Sequence, residues 1–210
     1  MNENWRDFLR EKRREILLLI SAGIAVLALI AFFGFIYRGG GSRVPEEYVQ
    51  AREEATKISR EIVGLGNEVN QSLVEIAAKN NIRDYSAALS VARSGAGQIN
   101  QIGVKAQELL GALEGMVESV ERVRPESAVK AGKDAISVGI KMVERLIIYS
   151  NLSSDLIKTI ETKLGGGNVK EGDIQKIIDD INSEVRFINS LSGDYGVLIK
   201  QFDDLTKSSQ

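Results

Sequence analysis

The chain has no cysteine and no histidine in its 210 residues. These absences remove disulfide staples, thiolate zinc sites, histidine-ligated metals and nucleophile pairs of the Ser-His or Cys-His kind. Proline occurs twice and aromatic residues make up 6%. Few breakers and few ring side chains, set in a background rich in Ala, Leu, Ile, Val, Glu and Lys, favour helix over sheet. Missing cysteine leaves the compartment open, since a helical domain without disulfides is compatible with either side of a membrane. The length suits one domain plus an anchor.

A clustered basic face is also lacking. Residues 1–43 carry seven Lys/Arg against four Asp/Glu, and residues 44–210 carry 20 against 25. The larger part is therefore mildly acidic with dispersed charge, whereas nucleic-acid binding calls for concentrated cations to neutralise phosphates. No nucleic-acid partner, cofactor or metal is expected.

One long uncharged run stands out. Ile16 to Tyr37 reads ILLLISAGIAVLALIAFFGFIY. At helical rise it extends about 33 Å, matching a hydrocarbon core of about 30 Å. Ile16, Leu19, Leu27, Phe32, Phe35 and Tyr37 are its anchoring residues, the aromatic ones suiting the headgroup interface. A cleaved signal peptide has a shorter apolar region and a polar cleavage segment, so the run reads as an uncleaved signal-anchor and the lipid bilayer as a partner. Arg6, Arg10, Lys12, Arg13 and Arg14 precede it, and this positive bias predicts a cytoplasmic N-terminus with the remainder extracytoplasmic. Trp5, Phe8 and Leu9 add a short amphipathic pattern that fits either the inner leaflet or a simple extension of the anchor helix. The expected layout is a tail over 1–15, a transmembrane helix over 16–37, a glycine-rich linker over 38–44 and a helical bundle over 45–210.

Beyond the linker, apolar residues recur in steps of three and four. Tyr48, Ala51, Ala55, Ile58, Ile62, Leu65, Val69, Ser72 and Ile76 make one stripe, beginning just after Pro45. A turn at Asn80, Asn81 and Asp84 leads to a second stripe: Tyr85, Leu89, Ala92, Ala96, Ile99, Gly103, Ala106, Leu110, Leu113, Val117 and Val120. Arg124 and Pro125 break it. The third stripe runs through Ala128, Ala131, Ala135, Val138, Met142, Leu146, Tyr149, Leu152, Leu156 and Ile160, with irregular steps near its middle. Gly165, Gly166 and Gly167 end that helix, and Asn168 with Glu171 predicts a capping box for the next. Ile174, Ile178, Ile181, Val185, Ile188, Tyr195, Ile199 and Phe202 carry the fourth stripe. Four long helices and three short loops predict an all-α fold, an N-terminal transmembrane helix followed by an antiparallel up-down four-helix bundle. Both bundle ends then lie together, with the loops at 80–84 and 165–170 at the opposite end.

Motifs for chemistry are sparse. The triple glycine follows no strand and no GxxxxGK[ST] accompanies it, so it reads as a turn. Adjacent acids (Glu46/Glu47, Asp179/Asp180, Asp203/Asp204) diverge by about 100° on a helix and are expected to be solvated rather than to share an ion. Asn70-Gln-Ser72 and Asn151-Leu-Ser153 match the glycosylation triplet within predicted helices. Gly95, Gly97 and Gly103 mark Ser94–Gly103 as a candidate soft segment, with close helix packing the plainer reading.

An anchor followed by an extracytoplasmic helical bundle resembles, in architecture alone, the sensor half of four-helix-bundle chemoreceptors and other anchored helical envelope proteins. A chemoreceptor of that kind also has a second membrane helix and a cytoplasmic output, which these residues do not contain. The expected function is a non-catalytic interaction or scaffold module assembling with envelope or membrane partners or with itself. The alternative is a ligand-binding sensory bundle that relays through a membrane partner.

Overall fold

A computed structural model describes residues 44–207. These form four helices: α1 (Glu46–Asn81), α2 (Tyr85–Val120), α3 (Glu126–Leu164) and α4 (Glu171–Lys207). Among the described residues there is no strand. Lengths of 36 to 39 residues correspond to about 54 to 59 Å.

The helix ends follow local chemistry. Pro45 stands at the N-cap of α1, one position before the predicted first turn, and its carbonyl accepts from the amides of Tyr48 and Val49. Glu46 and Glu47 in the first turn complement the positive end of the helix dipole. After α1 the chain turns within Ile82–Asp84. Arg83 there takes φ of 65°, a left-handed value usually given to glycine. Asp84 caps α2, its Oδ1 accepting from the Ala87 amide at 3.1 Å. At the end of α3, Gly166 has φ of +85°, and a Cβ on Gly167 would stand 2.8 Å from the Thr162 carbonyl oxygen. The amides of Gly165, Gly166 and Gly167 close the helix by donating to the Glu161, Lys163 and Thr162 carbonyls respectively. Asn168 does not stand at the N-cap expected of it, because α4 begins only at Glu171.

Each helix runs antiparallel to its neighbours. Glu47 meets Arg122 and Glu61 meets Lys105 across α1/α2, while Arg145 meets Glu184 across α3/α4. Tyr48 stacks on Phe202 with ring centroids 5.0 Å apart, so the start of α1 and the end of α4 lie together, beside the 121–125 loop. We call this the terminal end. The loops at 82–84 and 165–170 form the far end.

All eight predicted stripe residues of α4 are buried, as are seven of the nine on α1. The two central helices differ from expectation in a systematic way. On α2, Ala92, Ile99, Ala106, Leu113 and Val120 are buried as predicted, but their companions are Ala88, Gly95, Ile102, Leu109 and Met116. These sit one residue before the predicted Leu89, Ala96, Gly103, Leu110 and Val117, and Val117 is exposed. On α3 a second buried row, Val129, Gly132, Ile136, Gly139 and Val143, lies beside the predicted one. Both helices pack on two flanking partners, so their apolar faces are wider than one seam.

Small residues set how closely the helices approach. A Cβ added to Gly132 would stand 2.8 Å from Val120 and 3.2 Å from Phe202, and one on Gly139 would stand 3.1 Å from Leu113 and 3.4 Å from Tyr195. Seven residues apart, these glycines are sockets on α3 for side chains of α2 and α4. Consecutive helices approach closely along their lengths, whereas α1 and α4 keep their backbones apart almost throughout.

Among the described residues no helix is long and apolar enough to cross a membrane. The predicted span 16–37 lies outside those residues.

Candidate functional site

The wide wall between α1 and α4 is bridged at its terminal end by long polar and aromatic side chains. Arg52 of α1 donates from both terminal nitrogens to Asp203 of α4, at 2.6 Å and 3.0 Å. Asp203 is 2% exposed and Arg52 11%. A bidentate guanidinium–carboxylate pair satisfies both charges in a fixed geometry, which is what allows it to be buried at all. Burial works against the Arg52 charge, but the bonds to Asp203 and the field of that carboxylate outweigh it and raise its pKa. Tyr48 and Phe202 stack beside the pair, and Tyr195 lies within its field. Burial pushes the Tyr195 phenol up to about 12, with Arg52 pulling it down and Asp203 adding to the rise.

Asp203 corrects the expectation that both members of the Asp203/Asp204 pair are solvated. Asp204 is exposed and bonded to Lys200 at 2.8 Å, while Asp203 turns inward. Its position explains this. Asp203 follows Ile199 by four residues and adjoins Phe202, so it sits on the core face, and only a matching cation across the seam makes that tolerable. That step of four was the signal available in the sequence.

Where all four helices meet, nearer the far end, lies a cavity of about 20 Å³. Val69, Leu73, Ile181 and Val185 contribute apolar walls, and Asn70, Tyr149 and Ser153 contribute polar atoms. Burial raises the Tyr149 phenol, and its hydrogen bond with Ser153 opposes the rise. The volume suits one water molecule. Around it the apolar core divides. Ile174, Ile178, Ile181 and Val185 of α4 cluster with Leu156 of α3, apart from the main core, to which α4 contributes Ile188 and Phe202 beside residues of α1, α2 and α3.

The glycine-bearing segment of α2 is an uninterrupted helix packed on its neighbours. Gly95 lies under Ser72, whose Cβ is 3.4 Å from a Cβ built there, and a Cβ built on Gly103 would stand 3.2 Å from the Ser150 hydroxyl. Ser150 donates to the Ile99 carbonyl at 2.9 Å, and Ser72 donates to Gln98 at 3.2 Å. Gly97 faces open space. Close packing, not a soft cleft, is the role of Gly95 and Gly103.

On the outer surface of α3/α4, Arg145 bonds Glu184 at 3.2 Å and lies 4.8 Å over the exposed Phe187 ring. Among the described residues no group of three or more acidic side chains converges to hold a metal ion. The anchor residues Ile16, Leu19, Leu27, Phe32, Phe35 and Tyr37 lie outside the described residues, as do Arg6, Arg10, Lys12, Arg13 and Arg14. Compared with protein-family models, curated proteins and solved structures, the chain matches none.

Proposed function

We propose that this protein is a membrane-anchored helical bundle that acts as a non-catalytic interaction or scaffold module. In this reading Ile16–Tyr37 holds the chain in a bilayer, the basic tail stays cytoplasmic, and the bundle meets envelope or membrane proteins, or further copies of itself, on the opposite side. The observation that carries it is how the interior is used. The central cavity of about 20 Å³ has room for a single water. A small-molecule site commonly takes about 300 to 1,000 Å³. Two of the glycines that motivated a sensory pocket, Gly95 and Gly103, are taken up by helix packing instead. The outer surface offers long polar helix faces with scattered apolar residues such as Phe187 and Val197.

Two measurements test the reading separately. The full chain is expected to stay with membranes through an alkaline carbonate wash, and a form lacking residues 1–43 to be released. Release of the full chain would remove the anchor from the proposal. Crosslinking in intact membranes, followed by purification in mild detergent, is expected to recover a defined partner or a homo-oligomer. A strictly solitary chain would overturn the interaction role.

A further inference from the structure

We propose that the α1/α4 wall is the seam along which the bundle opens, and that Arg52–Asp203 is the latch that holds it shut. This goes beyond the interaction reading and depends on it for one point only, the origin of the force applied at the start of α1.

Three independent features of the wall support it. First, the other neighbouring helices are drawn together by glycine, alanine and serine, as at Gly95 on Ser72 and Gly115 on Ala51, but α1 and α4 remain apart. Their separation is spanned by the long side chains of Tyr48, Arg52 and Phe202, with Arg52 reaching the short Asp203. Second, those bridges lie at the terminal end, whereas Ile174, Ile178, Ile181 and Val185 in the far half of α4 cluster with α3, and Ile181 and Val185 meet Val69 and Leu73 of α1 across the central cavity. Apolar cohesion across the wall is therefore weakest where the polar bridge is absent, and separating it there breaks few contacts. Third, the latch is bistable by its chemistry. A buried bidentate ion pair is stable when complete, but either charge alone in that position is strongly disfavoured, so the pair holds or releases as a unit. It also stands within two turns of Pro45, where the chain from residues 1–43 enters α1. Tension or rotation delivered at that point acts on Arg52 before it acts on the rest of the core. Opening would present Val69 and Leu73 of α1 and Ile181 and Val185 of α4, an apolar strip suited to a partner helix.

The test uses the full chain in detergent micelles, and the absence of native cysteine makes site-specific spin labelling straightforward. One label pair, at Val74→Cys and Asp180→Cys, reads the far half of α1 against α4 from exposed positions. A control pair at Gln101→Cys and Asn151→Cys, also exposed, reads α2 against α3. With Asp203→Asn, the α1/α4 distances are expected to gain a longer population, increased about fivefold or more over the unmutated latch, with the α2/α3 distances unchanged. The charge-exchanged double variant Arg52→Asp/Asp203→Arg is expected to restore the original distribution. Should Asp203→Asn fail to fold, Arg52→Lys keeps the charge, loses the two-pronged fit, and is expected to open the same pair to a smaller degree. Equal broadening in both pairs, no change in either, or no restoration by the exchanged pair would overturn the latch. Release of the full chain from membranes by a carbonate wash, before detergent is added, would count against the anchor alone.

Discussion

The two ends of the α1/α4 wall are built on different principles. At the terminal end, Arg52, Asp203, Tyr48 and Phe202 make directional contacts that depend on a particular geometry. Toward the far end, aliphatic side chains of α4 pack on α3 and leave a water-sized cavity against α1. The contrast teaches that one wall can combine specificity with compliance. Ion pairing fixes which residues face each other, and interchangeable aliphatic packing leaves the rest free to adjust.

The contrast is broken most forcefully by removing one side of the buried pair. Asp203→Ala strands the Arg52 charge and is expected to cost about 3 to 5 kcal/mol, read as a lowered midpoint in urea unfolding. A loss below about 1 kcal/mol would mean that the pair is solvated in the working protein.

Alkaline titration sharpens the same comparison. The Tyr195 phenol is raised from 10.0 to about 12 in the folded chain. Its contribution is fully present below the unfolded pKa, because both states then hold the proton. Between these values the unfolded chain ionises first, so stability falls as pH rises toward about 12. The expected loss is about 2 to 3 kcal/mol, and Tyr195→Phe is expected to remove most of that slope in unfolding curves taken from pH 9 upward.

Glycine substitutions separate tight seams from open surface. Gly132→Ala forces a Cβ to 2.8 Å from Val120 and is expected to destabilise by about 1 to 3 kcal/mol. Gly97→Ala, with open space around it, is expected to stabilise α2 by up to about 1 kcal/mol. Thermal midpoints of opposite sign for the two variants would check both. At the far end, Arg83→Gly relieves the left-handed residue and is expected to add about 0.5 to 1 kcal/mol, the smallest effect, measurable as a rise in midpoint.

Legibility in the sequence tracked how many neighbours a helix has. On α4 every predicted stripe residue is buried, and Pro45, Asp84, Pro125 and Gly165 stand at the helix boundaries the pattern implied. On α2 and α3, where two flanking partners widen the buried face, the single-stripe reading captured one heptad row and displaced or omitted the other. Gly132 and Gly139 carry no apolar side chain, so periodicity gave no notice of them, although they set the depth at which Phe202 and Tyr195 seat. Asp203 was visible as a position, four residues after Ile199, but not as half of a pair.

From composition and spacing alone come four helices, their approximate limits and the apolar face of each, because these depend on local propensity and on a period that recurs within a few residues. Which helix faces which, how wide each seam is and which charge meets which were decided only in three dimensions. Arg52 and Asp203 lie 151 residues apart in the chain, and no local rule couples them. Their burial is tolerable only together, and that condition is met by the closing of α4 against α1.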